Sequence, residues 1–87
     1  MTLRIERVQA RIRLIGEFRS EHLDQVKTEI EHCGSSVVLD LEELDLIDVD
    51  CIRFLNACEA KGISMLNCSP YIRAWMSRER PRPEARK

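Results

Sequence analysis

Val37-Val38-Leu39-Asp40-Leu41-Glu42-Glu43-Leu44-Asp45-Leu46-Ile47-Asp48-Val49-Asp50-Cys51 changes character twice within one short stretch. It opens on three consecutive apolar residues, two of them β-branched. Such a run reads as a strand covered on both faces, as an interior strand of a parallel sheet is. Glu42 to Ile47 mixes carboxylates with Leu44, Leu46 and Ile47, and reads as a loop held down by apolar anchors. Asp48 then stands where a helix N-cap is wanted, with Val49-Asp50-Cys51 as the first turn. An aspartate there accepts hydrogen bonds from unpaired backbone N–H groups, and a further carboxylate suits the positive end of the helix dipole. Ile52, Leu55 and Cys58 form one apolar stripe, widened by Phe54 and Ala57, and Gly62 stops the helix.

Toward the N-terminus, Gly34 ends an earlier helix expected over residues 21–33. Its stripe is Leu23, Val26, Ile30 and Cys33, and Ser20 is the expected N-cap. Before it, Val8, Ala10, Ile12 and Leu14 alternate with Gln9, Arg11 and Arg13, the period of a strand with one wet face over residues 8–18. Leu3 and Ile5 continue the alternation, as an earlier start of that strand or as a short strand before it. With no Gly, Pro, Asn or Asp between them, no hairpin turn is placed. Toward the C-terminus, Ile63–Cys68 reads as a short strand. Ser69-Pro70 starts a third helix, since serine caps and proline fits the first helical position. Ile72, Trp75 and Met76 are its apolar face, Trp75 being a core or sheet-covering residue with an interface anchor as its functional alternative.

The order is strand, helix, strand, helix, strand, helix. Short connections in that order predict an α/β fold: a mostly parallel sheet with helices packed on it. The 87 residues suffice for one domain, expected over residues 1–76, with 77–87 as a basic flexible tail rich in arginine and proline. Apolar residues are 44% and charged residues 33% of the chain, which excludes a disordered composition. The charged N-terminal stretch lacks the apolar core of a signal peptide, and no apolar run is long enough to span a membrane, so a cytoplasmic protein without membrane insertion is expected.

The net charge of −1 conceals segregation. Residues 1–16 hold four arginines against one glutamate; residues 17–59 hold twelve acids against three bases; residues 60–87 hold seven bases against two acids. An acidic middle between basic ends argues against a dedicated nucleic-acid binder. Weak, salt-sensitive contact through Arg78, Arg80, Arg82, Arg86 and Lys87 is the most such a tail supports. Asp40 to Asp50 holds six carboxylates in eleven residues, yet nothing selects a pair for acid–base chemistry, and a solvated acidic rim is expected. Such a rim attracts a basic partner surface. His22 and His32 are expected on the surface. Cys33, Cys51, Cys58 and Cys68 form no CxxC pair and are expected as free thiols, with no metal site. The three glycines, Gly16, Gly34 and Gly62, are too far apart for a phosphate-binding loop, and no cofactor is expected.

The stretch from Val37 to Cys51 resembles the signature of STAS domains, the fold of bacterial anti-sigma factor antagonists. In that family a buried "VVLDL"-type strand leads through an apolar-anchored loop to an Asp-Ser-Ser/Thr-Gly turn opening a helix. Leu14-Ile15-Gly16-Glu17 is similar to the family's Leu-x-Gly-Glu strand end, and the likeness runs on through Gly62-Ile63 to Ser69-Pro70, covering roughly residues 10–76. The resemblance implies a STAS-like fold and a non-catalytic regulatory domain that binds a protein partner. It also implies where: Asp48, Val49, Asp50 and Cys51 at the turn, and Arg53 on the helix that follows.

At the phosphoacceptor-equivalent position, aligned through Asp48, this chain carries Asp50; Val49 and Cys51 replace the preceding serine and the following glycine. Aspartate offers no hydroxyl, so the usual phospho-switch cannot operate there. Its single charge mimics a phosphoserine only in part. The domain is then either held in a phosphorylated-like state or never used the switch, and Asp48 and Asp50 also serve simply as helix-start residues. The implied partner is an anti-sigma factor or kinase-like protein, or, alternatively, the ATPase or permease of an ABC-type transporter of which this would be an accessory subunit. The family continues with a further strand and helix beyond the stretch equivalent to Ser69–Met76, so Ile63–Cys68 is expected at an open sheet edge where a homodimer could pair.

Overall fold

The computed structural model describes residues 3–80, apart from the side chain of Ser35. The elements in chain order are β1 (Leu3–Val8), β2 (Arg11–Phe18), α1 (Leu23–Cys33), β3 (Val38–Asp40), β4 (Leu44–Ile47), α2 (Val49–Ala60), β5 (Ser64–Leu66) and α3 (Pro70–Glu79). A single 3-10 turn at Ser20–His22 precedes α1.

The sheet runs β1-β2-β3-β5, with β4 also against β2. β2 is its spine. β1 lies antiparallel along one side of it, with Leu3 opposite Gly16 and Val8 opposite Arg11. On its other side β2 carries two short parallel strands end to end: Arg11–Arg13 pair with β3, and Gly16–Phe18 pair with β4. The register slips between Gly16 and Glu17, where Gly16 takes φ 101°, a conformation that costs glycine little. β3 pairs in parallel with β5, so β3 is interior, as the Val37–Leu41 run predicts.

The α/β class and the mostly parallel sheet agree with the sequence reading; two local features differ. Residues 3–18 form a tight hairpin rather than one strand or two unconnected ones, turning at Gln9-Ala10 with Gln9 at φ 57°. The stretch from Glu42 to Ile47 is not all loop, because Leu44–Ile47 is strand β4. Its side chains earn that place: Leu44 and Ile47 are buried against the sheet while Asp45 and Leu46 face solvent.

The crossovers β2-α1-β3 and β4-α2-β5 step in the same direction across the sheet. Right-handed connections therefore place α1 and α2 on one face. Beneath them lie Ile12, Leu14, Phe18 and Leu39 from the strands, with Val26, Ile52 and Leu55 from the helices, all fully buried. Each such side chain contributes about 1.5–3 kcal/mol by leaving water. α3 closes the core by packing Ile72 and Met76 against α2. It runs to Glu79, three residues past Met76, so the first part of the stretch expected as a tail is helical. Residues 81–87 lie outside the described residues.

The opposite sheet face holds one buried charge. Asp40 is 1% exposed. One of its carboxylate oxygens accepts hydrogen bonds from the Glu42 N–H and the Asn67 amide, both at 3.1 Å. The other lies 3.9 Å from the guanidinium groups of Arg11 and Arg13. Asn67 reaches it from a left-handed backbone, φ 56°, which asparagine tolerates better than most residues.

Candidate functional site

The turn singled out in the sequence sits where two parallel strands end side by side. The Asp48 N–H donates to the carbonyl of Phe18, so the ends of β2 and β4 are joined just before α2 begins. Open α/β sheets place their binding crevices at this end of their strands.

Asp48 is the N-cap of α2, and one of its oxygens accepts the Cys51 N–H at 3.1 Å, as its position in the sequence predicts. Its second oxygen accepts the Ser20 N–H at 2.8 Å. The same carboxylate thus fixes the turn into α1 and the start of α2. Burial would raise its pKa, but the Ser20 and Cys51 hydrogen bonds and the nearby Arg19 outweigh burial and hold it below the ordinary value of 3.8. With both oxygens engaged and its proton affinity lowered, Asp48 is a structural anion and a poor general base.

The structure brings Asp48, Val49, Asp50 and Cys51 into one helical turn and gives them different surroundings. Cys51 is completely buried, its thiol against the Asp48 carboxylate. Burial and that negative charge both push the thiol well above its ordinary pKa. Val49 is half-buried and Asp50 exposed. Arg53, one turn on, is exposed, and its Nε donates to the Glu79 carboxylate at 3.3 Å, tying α2 to α3. Asp50 and Arg53 also border a shallow groove of about 640 Å³ between α1 and α2, with Leu23, Lys27 and Phe54 along it. The Phe54 ring stands edge-on to Phe18, centroids 6.1 Å apart, and carries the Lys27 ammonium 6.0 Å from its centre.

Sequence reasoning does not connect Arg19, Ser20 and His22 to this turn. Ser20 was expected to cap α1 with its side chain; instead the 3-10 turn intervenes, and what Ser20 supplies is its backbone N–H to Asp48. His22, expected on the surface, is largely covered, and its Nδ1 accepts the Arg19 N–H at 3.2 Å. The only signal in the sequence was proximity: these residues follow directly on the Leu-Ile-Gly-Glu strand end.

The acidic stretch divides. Asp40 and Asp48 are anchored inside the fold, whereas Glu42, Glu43, Asp45 and Asp50 are exposed. All four cysteines are free thiols, and burial raises Cys58 to about 11. Among the described residues no group of His, Cys, Asp and Glu side chains is arranged to hold a metal ion, and no helix is long and apolar enough to cross a membrane. Comparison of the chain with family models, with curated proteins and with solved structures gives no match.

Proposed function

We propose that this chain is a non-catalytic regulatory domain of STAS type that binds a protein partner through the start of α2. The observation that carries the reading is the division of labour at that turn. Asp48 and Cys51 are committed to holding it, one as a doubly bonded anion and the other as a buried thiol, and this presents Asp50 and Arg53 outward from a rigid base, with half-buried Val49 between them. A fixed backbone with an exposed carboxylate beside an apolar groove is suited to recognition, because little conformational freedom is lost on binding.

Asp50 keeps a permanent charge at the position where a regulated relative would carry a phosphorylatable hydroxyl. The domain therefore sits in one signalling state, in the cytoplasm, without the usual switch. Asp50→Ser restores a hydroxyl, and the variant should gain affinity for a kinase-like partner or be phosphorylated by it.

Affinity capture from extracts of the native host, run in parallel with the wild-type chain and the Asp50→Lys/Arg53→Glu variant, tests the reading. A protein retained by the wild type and lost by the variant is the expected result. A sigma-pathway or kinase-like protein assigns the domain to transcriptional regulation, and an ATPase or permease makes it a transporter's accessory subunit. Equal retention of every captured protein by both chains overturns the reading.

A further inference from the structure

α3 has a second side, with Tyr71 and Arg78 exposed at its two ends and Trp75 half-buried between them, one part of its ring packed against the core. Its inner side is fully accounted for: Ile72 and Met76 are buried, Arg73 and Arg80 both bind the Glu59 carboxylate, and Glu79 accepts from Arg53. Tyr71, Trp75 and Arg78 follow one another at spacings of four and three, which puts them in one row along the shoulder of the helix. Tyr71 is 63% exposed, and its ring lies 5.9 Å from that of Trp75, tilted by 57°. Arg78 is exposed, and among the arginines of the described residues it alone makes no ion pair. Tyrosine, tryptophan and arginine are the side chains that most often concentrate binding energy at protein interfaces.

We infer that the Tyr71–Trp75–Arg78 row docks a short acidic segment of a partner protein, one carboxylate pairing with Arg78 and an apolar side chain lying against the two rings. The charge of the row selects this occupant. Among the described residues Arg78 has no ion-pair partner, and one carboxylate matches it. A nucleic-acid strand needs several phosphate contacts, and among the described residues the neighbouring guanidinium groups of Arg73 and Arg80 are already occupied by Glu59. Tyr71 and Arg78 are seven residues apart, roughly 10 Å along the axis, so the carboxylate and the apolar group of the ligand must be spaced by about that distance. The surface is separate from the start of α2 and does not depend on the function proposed for it.

Trp75 is the only tryptophan in the chain, so its fluorescence reports this one position, and the urea midpoints separate a surface response from a change in the core. The full chain is titrated with a synthetic peptide of alternating leucine and glutamate, with its leucine–lysine counterpart, and with a single-stranded thymidine oligonucleotide. Saturable change in Trp75 emission with the glutamate peptide only is expected, weakened roughly tenfold by Tyr71→Ala or by Arg78→Glu and left intact by Asp50→Lys. Both side chains are exposed, so unchanged urea midpoints confirm that these variants fold. Absence of a saturable response to the glutamate peptide, or a response that survives both substitutions, overturns the inference. A response to the oligonucleotide in preference to the peptide assigns the row to nucleic acid instead.

Discussion

One carboxylate of Asp48 joins two helix beginnings that stand 28 residues apart: it accepts the Ser20 N–H at 2.8 Å through one oxygen and the Cys51 N–H at 3.1 Å through the other. Asp48→Ala removes a cap and a tertiary hydrogen bond together and should cost about 2 kcal/mol of stability. Asp48→Asn keeps one acceptor oxygen for Cys51 but turns an amide toward Ser20, and should cost about half as much. Urea unfolding of the two variants checks this; an unmoved midpoint for Asp48→Ala means the bridge contributes nothing.

Acid should unfold the chain in a way traceable to two residues. Asp40 is buried, which alone would raise its pKa, but Asn67, the Glu42 N–H, Arg13 and Arg11 together hold it below the ordinary 3.8, as Asp48 is held. A carboxyl depressed in the folded state binds its proton more readily when unfolded. The stability it confers is therefore complete above the unfolded value and is lost as pH falls through the folded one. The gap in stability between wild type and Asp40→Asn, or wild type and Asp48→Asn, should be widest near neutrality and shrink below about pH 4. Unfolding free energies measured across that range that keep a constant gap would contradict the assignment.

Asp40 and its arginines should respond unequally to removal. Asp40→Ala leaves the Asn67 amide and the Glu42 N–H without their buried acceptor and should cost about 3 kcal/mol. Arg11→Ala should cost under about 1 kcal/mol, because Arg11 is largely exposed and its guanidinium is 3.9 Å from the carboxylate, beyond hydrogen-bond distance. Equal losses from the two substitutions would show that the cluster works as an ion pair and not as a hydrogen-bonded anchor.

The thiols should sort by burial. Cys51 and Cys58 are buried, both with raised pKa values, Cys58 at about 11. A thiol kept protonated and covered is a poor nucleophile. Mass spectrometry after brief alkylation at neutral pH should find both unmodified in the folded chain and modified in urea; rapid labelling of Cys51 in the folded chain would place it on the surface.

The parts of this fold that could be read from sequence are those where side-chain chemistry dictates backbone. Asp48, Ser69 and Pro70 stand at the helix starts they predict, and the apolar run from Val37 becomes the interior strand. The hairpin escaped because its turn uses Gln9 in a left-handed conformation that asparagine or glycine usually occupies. β4 escaped because only Leu44 and Ile47 of its four residues are buried, which leaves no alternation to recognise. The site was half legible. Local spacing put Asp48 to Cys51 in one turn, but the Ser20 link is a tertiary contact that exists only once β2 and β4 lie side by side.

The central claim, that the start of α2 is a recognition surface presented by a rigid Asp48–Cys51 base, is tested most directly by calorimetric titration of the captured partner into three chains: wild type, Asp50→Lys, and Arg4→Glu as a remote control. Asp50 and Arg4 are both exposed; Asp50→Lys reverses a favourable charge in the first turn of α2 and should cost about 1 kcal/mol of stability, leaving the chain folded, and Arg4→Glu should cost less. Asp50→Lys should weaken binding by roughly tenfold or more while Arg4→Glu leaves it unchanged. Equal affinity of all three chains for the partner would contradict the claim.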